Sequence, residues 1–172
     1  GGALSRSLGL MAAAIAVLIG TTYGLIAGYV GGRCDAIMMR IVDVLYALPY
    51  VLLVMLLTLS LGPRMESAAR ALQLAPEFAR FAVLALGIGG VSWLTMARVV
   101  RGQVLSLRER QFVEAARAMG VPAGQILVRH ILPNTLAPVV VFATLTVPQA
   151  ILQESFLSFL GVGIQPPQAT WG

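Results

Sequence analysis

The chain has 172 residues, of which 58% are hydrophobic and 11% charged, with a net charge of +5. Soluble domains carry roughly 25% charged residues, so this composition excludes an ordinary soluble domain and indicates a polytopic membrane protein. All twelve basic residues are arginine, so the chain holds no Walker A loop, whose lysine reaches the phosphates of a nucleotide. The arginines flank apolar segments, the distribution of the positive-inside rule rather than of a nucleic-acid surface. Cys34 has no second cysteine to pair with and reads as a small packing residue or a free thiol. The chain opens Gly-Gly, its first methionine is Met11, and no basic region precedes its apolar run. That is not a signal peptide, and the sequence reads as an internal part of a longer protein.

Four segments are apolar enough to span a bilayer core of about 30 Å. The first, Leu8 to Val30, carries a small residue at every fourth position: Ala12, Ala16, Gly20, Gly24 and Gly28. Such a stripe lets a neighbouring backbone approach closely, and Gly31-Gly32 suits an αL cap at its end. The second span is Val44 to Leu61, where Pro49 either kinks the first turns or marks the true start. The third is Phe81 to Ala97. The fourth is Ile131 to Phe159, with Pro133, Pro138 and Pro148 and a single charge, Glu154. All four are expected to be helices, because lipid offers no partner to unpaired backbone groups. The loops Gly31–Asp43 and Arg98–His130 together hold eight arginines, against four on the other side (Arg6, Arg64, Arg70 and Arg80). The eight-arginine side is expected to be cytoplasmic, with both ends and the Pro63–Arg80 loop outside.

The segment Arg98–His130 is too polar to span. Phe112, Val113, Ala116 and Met119 fall near helical spacing. Gly120 is a stop, and Pro122 suits the first turn of a second helix whose apolar face holds Ile126, Leu127 and Ile131. Pro133-Asn134 marks entry into the last span. A helix–turn–helix on the cytoplasmic face is therefore expected. Ala115 and Ala116 are small enough for a partner surface to come close, and Glu114 can cap or pair with Arg110 or Arg117.

This segment reads Glu114-Ala115-Ala116, three residues, Gly120, nine residues, then His130-Ile131-Leu132-Pro133. It resembles the cytoplasmic loop of permease subunits of binding-protein-dependent ABC importers, written EAA, three residues, G, nine residues, I-x-L-P. The departure is His130, which takes the isoleucine position. The form His-Ile-Leu-Pro-Asn looks like the dipeptide and oligopeptide branch, in particular its C-type subunit. Three more stretches agree in order: Gly28–Gly32 with Asp35, Met39-Arg40 and Asp43; Trp93 with Ala97-Arg98, Arg101 and Val104–Ser106; and Glu154 with Leu157–Gly163 and Trp171-Gly172. The likeness thins only across Pro63–Arg80.

The resemblance implies an all-α membrane bundle of the type I ABC importer permease kind, a single transmembrane domain over residues 1–172. Four spans of an expected six would be present, the first and last being missing. It implies an ATP-driven importer subunit, not an enzyme, in a bacterial or archaeal cytoplasmic membrane. Its partners would be a second permease, two ATPase subunits that bind ATP and Mg, and an extracytoplasmic substrate-binding protein. The coupling loop, at about 98–130, would dock in the ATPase through Glu114, Ala115, Ala116, Arg117, Gly120, Val121 and Pro133. No residue is assigned a catalytic role and none a metal.

Glu154 is the one acidic residue deep in an apolar run, and such carboxylates face protein or water. It is a candidate, with Ser155 and Ser158, for the translocation path or an outer gate; the alternative is a satisfied hydrogen-bonder. His130, the only histidine, is an interfacial anchor or a proton switch; alone it is no metal site. A proton-coupled transporter or channel using Glu154 and His130 is the competing function. An intramembrane protease is poorly supported, because the only histidine lies at a cytoplasmic edge.

Overall fold

A computed structural model describes residues 2–73, 75–161 and 163. Trp171-Gly172 and Val162, part of the fourth matching stretch, lie outside them. The described residues form helices only: α1 (Gly2–Val30), α2 (Gly32–Ala47), α3 (Tyr50–Ala71), α4 (Pro76–Leu107), α5 (Gln111–Ala118) and α6 (Ala123–Ile126). A π turn (Leu127–Ile131) then leads without a break into α7 (Leu132–Phe159). Four segments are long and apolar enough to cross a membrane: Gly2–Val30, Tyr50–Ala71, Phe78–Leu107 and Ala123–Phe159.

The seam between α1 and α4 organises the bundle. Ala12, Ala16, Gly20, Gly24 and Gly28 are all buried, as their spacing predicts. α1 and α4 run parallel, and their backbones touch along this stripe. A Cβ on Gly24 would lie 2.6 Å from the Ala97 carbonyl oxygen, and one on Gly20 2.8 Å from that of Trp93. α4 answers in kind with Gly89, where a Cβ would lie 2.9 Å from the Ala12 carbonyl oxygen. In lipid the gain is dispersion contact and not water release, so distance of approach is what matters. α4 also touches α2, α3 and α7, so it stands at the centre.

Several boundaries differ from the sequence expectation. The segment 31–43, expected as a loop, is helix α2. It turns back along the C-terminal half of α4, with Tyr23 of α1 donating its hydroxyl to the Met38 carbonyl at 2.8 Å. Gly31 sits at φ 67°, ψ −162° and not in the αL cap. That region is essentially glycine-only, so a glycine is still required there. Pro49 marks the start of α3: Leu48 is extended at φ −74°, ψ 137°, as expected for a residue before proline. α3 runs through Pro63 to Ala71, so the outer loop shrinks to a short turn. α4 continues past Ala97 to Leu107, because Arg98, Arg101 and Arg108 all find partners beside it.

Substitution at the seam separates close approach from helix propensity. Gly24→Ala should lower stability by about 1–3 kcal/mol, the usual range for overpacking. Gly102→Ala, whose added Cβ meets nothing within 4 Å, should be neutral or slightly stabilising. Thermal unfolding of the two variants in the same detergent checks the contrast.

Candidate functional site

The turn after α5 explains the spacing of the Glu-Ala-Ala and glycine motif. Gly120 has φ 76°. Its N–H donates to the Arg117 carbonyl at 3.0 Å, and the Val121 N–H donates to the Ala116 carbonyl at 3.1 Å. This pair of bonds is the Schellman motif, with glycine at the αL position. The hydrophobic contact that accompanies the motif is present as well, since Val121 packs on the cluster that buries Ala116. Glycine is needed here for its backbone alone, because a Cβ would meet no atom within 4 Å.

The motif presents two faces. Val113 and Ala116 are buried in one cluster with Leu25 of α1, Val100 and Val104 of α4, and Val139 of α7. Ala116 is therefore spent inside the fold and does not face a partner, contrary to the sequence expectation. Phe112 and Met119, which fall near the same helical spacing, do not join the buried face: both are exposed, Met119 by 76%. With Glu114 and Ala115, also exposed, they form an outward ridge. Among the described residues Glu114 makes no ion pair with Arg110 or Arg117. The Arg117 guanidinium instead lies 5.6 Å over the Tyr29 ring, which ties α5 to the end of α1. Arg108 donates to the Gly28 carbonyl at 3.1 Å and ties α4 to the same end.

The second helix of the expected helix–turn–helix is only α6, and it is continuous with α7. Pro122 precedes it as the N-cap residue. The Leu132 N–H reaches back five residues to the Leu127 carbonyl. The next residue, exposed Pro133, has no N–H to continue a four-residue ladder, which accounts for the widened turn. Asn134 then donates its side-chain amide to the His130 carbonyl at 2.6 Å. The sequence Ile-Leu-Pro-Asn thus builds a defined π turn, with half-buried His130 inside it.

α2 is held to α4 by charge. Arg101 donates Nε and Nη2 to the two oxygens of Asp35, each at 2.5 Å. Arg98 reaches Asp43 at 2.6 Å and stacks 4.4 Å over the Tyr46 ring. The Arg101 hydrogen bonds hold the Asp35 carboxyl below its ordinary pKa, against the opposing effect of burial. The sequence reading placed these groups in loops and so missed both pairs.

A second feature lies at membrane depth. A cavity of about 600 Å³ opens between the α2–α3 break, the charge-free part of α4 and the middle of α7. Its polar lining is Tyr46, Tyr50, Ser92, Thr95, Gln149 and Gln153, and the rest is apolar. Tyr46 and Thr95 pair at 3.1 Å. The Tyr50 hydroxyl and the Gln153 Oε1 are buried and have no partner among the described residues. None of these residues was singled out from the sequence. The available signal was Gln149 and Gln153, one helical turn apart in an apolar span.

Glu154 is not in that lining. It is fully buried on an adjoining face of α7, where Ser158 donates to its Oε1 at 2.7 Å. Its Oε2 is buried without a partner among the described residues. Ser155 bonds the Ile151 carbonyl at 2.9 Å. These three residues sit in the bundle, beside the cavity and not on its wall. Cys34 is a free thiol, 3.7 Å from the Met38 sulfur. Among the described residues no group of three His, Cys, Asp or Glu could hold a metal.

The profile of binding-protein-dependent transport system inner membrane components matches residues 20–172, and the chain belongs to that family. It is 45% identical over 172 residues to the oligopeptide transport system permease protein OppC of Haemophilus influenzae, covering 100% of this chain and 50% of the relative. It is 46% identical over 172 residues to the dipeptide transport system permease protein DppC of Bacillus subtilis, covering 100% and 49%. OppC of Escherichia coli K12 is 45% identical over the same 172 residues, with 100% and 52% covered. The chain spans about half the length of the curated relatives it matches.

Two predictions follow from this geometry. Gly120→Ala should destabilise the α5 turn by roughly 1–2 kcal/mol, the cost of a side chain at positive φ, while Gly120→Asn should cost less. Hydrogen exchange across residues 111–121 reads that difference. Because the folded pKa of Asp35 is lowered, its contribution is present above the ordinary carboxylate range near 4 and is lost as pH falls through the folded value. The wild type should therefore lose more thermal stability than Asp35→Asn when pH is taken from about 6 to about 3.

Proposed function

We propose that this chain forms half of the translocation path of an ATP-driven importer of short peptides in a bacterial cytoplasmic membrane. In this reading α5 is the helix through which a separate ATPase acts on the spans. The observation that carries the reading is the two-faced α5. Its inner face is fixed by Val113, Ala116 and the Gly120 cap, and its outer face offers Phe112, Glu114, Ala115 and Met119 to a soluble partner. A docked helix biases the spans only if it is rigidly tied to them. The ties are Arg117 on Tyr29 at the end of α1 and the π turn at the start of α7.

Arg117, Gly120, Val121 and Pro133 act by holding this geometry, and Glu114 and Ala115 make the contact. The arginine-rich side, α5 included, faces the cytoplasm. A second permease supplies the other half of the path, two ATPases bind ATP and Mg, and an extracytoplasmic binding protein delivers the cargo. Peptide cargo is supported by the names of the relatives, which are oligopeptide and dipeptide permeases. The proton-coupled alternative is disfavoured by placement, because Glu154 and His130 lie at opposite ends of α7 with no ionisable group between them.

The test is co-purification of the full-length chain from native membranes. Two ATPases and a second permease should accompany the wild type. Glu114→Arg, an exposed change that leaves the buried face intact, should lose the ATPases and keep the second permease. A chain that purifies alone and transports without an ATPase would overturn the assignment.

A further inference from the structure

The α2–α3 break is not an incidental kink. Around Leu48–Pro49 the helical ladder stops: the Leu48 N–H turns back to the Leu45 carbonyl at 3.3 Å, and the Leu53 N–H bonds the Pro49 carbonyl at 3.1 Å. The break lies level with Val91–Thr95, inside the charge-free run of α4. At that depth irregular backbone persists only where it is covered by protein or lines a cavity, and discontinuous helices of this kind form substrate sites in other transporters. Here it lines the 600 Å³ cavity, whose size is within the roughly 300–1,000 Å³ of ligand pockets.

The chemistry of the wall is specific. Among the described residues the lining contains no charged side chain. Two buried polar groups have no hydrogen-bond partner among the described residues: the Tyr50 hydroxyl and the Gln153 Oε1. A phenol donates and accepts one bond each way, and a primary amide does both. That set matches the N–H and C=O that every peptide unit carries. It does not match a peptide's charged termini or charged side chains. The remaining wall, including Leu48, Val91 and Phe142, is apolar and shows no preference among side chains.

From this we infer that the cavity is a binding site for the main chain of the translocating peptide, read by Tyr50 and Gln153, with Gln149 one turn away on α7. The inference rests on the proposed importer function and adds what that function does not contain: a site within the membrane that recognises amide groups and ignores sequence. Such a site would hold cargo of varied sequence at one depth while α7 moves.

The experiment uses the full-length chain reconstituted with its second permease, ATPases and binding protein in liposomes. The probes are trialanine and its analogue methylated at the central main-chain nitrogen. Tyr50→Phe removes only the hydroxyl, and Gln153→Met keeps length without the amide. The preference for trialanine over the methylated analogue should fall about five- to tenfold relative to wild type in at least one variant, the one that has lost the acceptor of that single N–H, which is the worth of one hydrogen bond. The binding protein is common to all arms, so the change belongs to the membrane site. An unchanged preference in both variants overturns the inference and leaves the importer intact. The inference also fails if the variants shed the second permease while keeping the preference, since the cavity would then be a subunit contact. Absence of ATP-dependent uptake in the wild type would instead overturn the proposed function itself.

Discussion

The direct contact of two backbones, α1 on α4, is the constraint on which the rest depends. Lipid does not drive helices together by excluding water, so a bundle in lipid is held by how closely its helices approach. Gly20 and Gly24 bring the α1 backbone onto the carbonyls of Trp93 and Ala97, where side chains of ordinary size would hold the helices apart. Once α4 is fixed, its flanks become platforms. α2 lies against Arg98 and Arg101, Val54 of α3 packs into the groove at Gly87, and Val139 of α7 joins the buried cluster near Val100.

α7 is the element that reaches both candidate sites. Its first residues leave the π turn beside α5, and its middle carries Gln149 and Gln153 along the cavity. In the proposed importer, force on α5 has a short and stiff route. The Schellman cap prevents the helix end from fraying, the Val113–Ala116 face transmits to α1 and α4, and the π turn passes motion into α7. Asn134 braces that turn by donating its side-chain amide to the His130 carbonyl. α3 and α7 expose broad apolar faces, such as Leu56, Leu59, Val140 and Val141. Those are the faces on which a second permease would sit.

Much of this was legible in the sequence, and the parts that were not have physical reasons. The glycine stripe could be read because close approach leaves a four-residue period. The Gly120 turn could be read because only glycine is at ease at positive φ. Ala116 was expected to face a partner and Phe112 and Met119 were not told apart from buried Val113, since an eight-residue helix with mixed small and large residues has no clean period. α2 was taken for a loop because its charges suggested exposure, whereas Asp35 and Asp43 are satisfied by arginines more than fifty residues away. The cavity was invisible for a related reason: Tyr50 and Gln153 are distant in sequence and come to one wall only when α3 and α7 both pack beside α4. Glu154 drew attention as the one acidic residue deep in an apolar run, yet the neighbouring residue on α7, Gln153, faces the cavity. A helix turns about 100° per residue, so adjacent positions serve different surroundings.

The α1–α4 seam also has a consequence in time. In chain order α1 precedes α4, and α2 and α3 lie between them, so the groove of α1 lacks its α4 complement until both have been made. Until then Asp35 and Asp43 also lack Arg101 and Arg98, the partners they have in the fold. The seam and the two cross-helix acid pairs all depend on α4, so none of them can be complete before α4 is present.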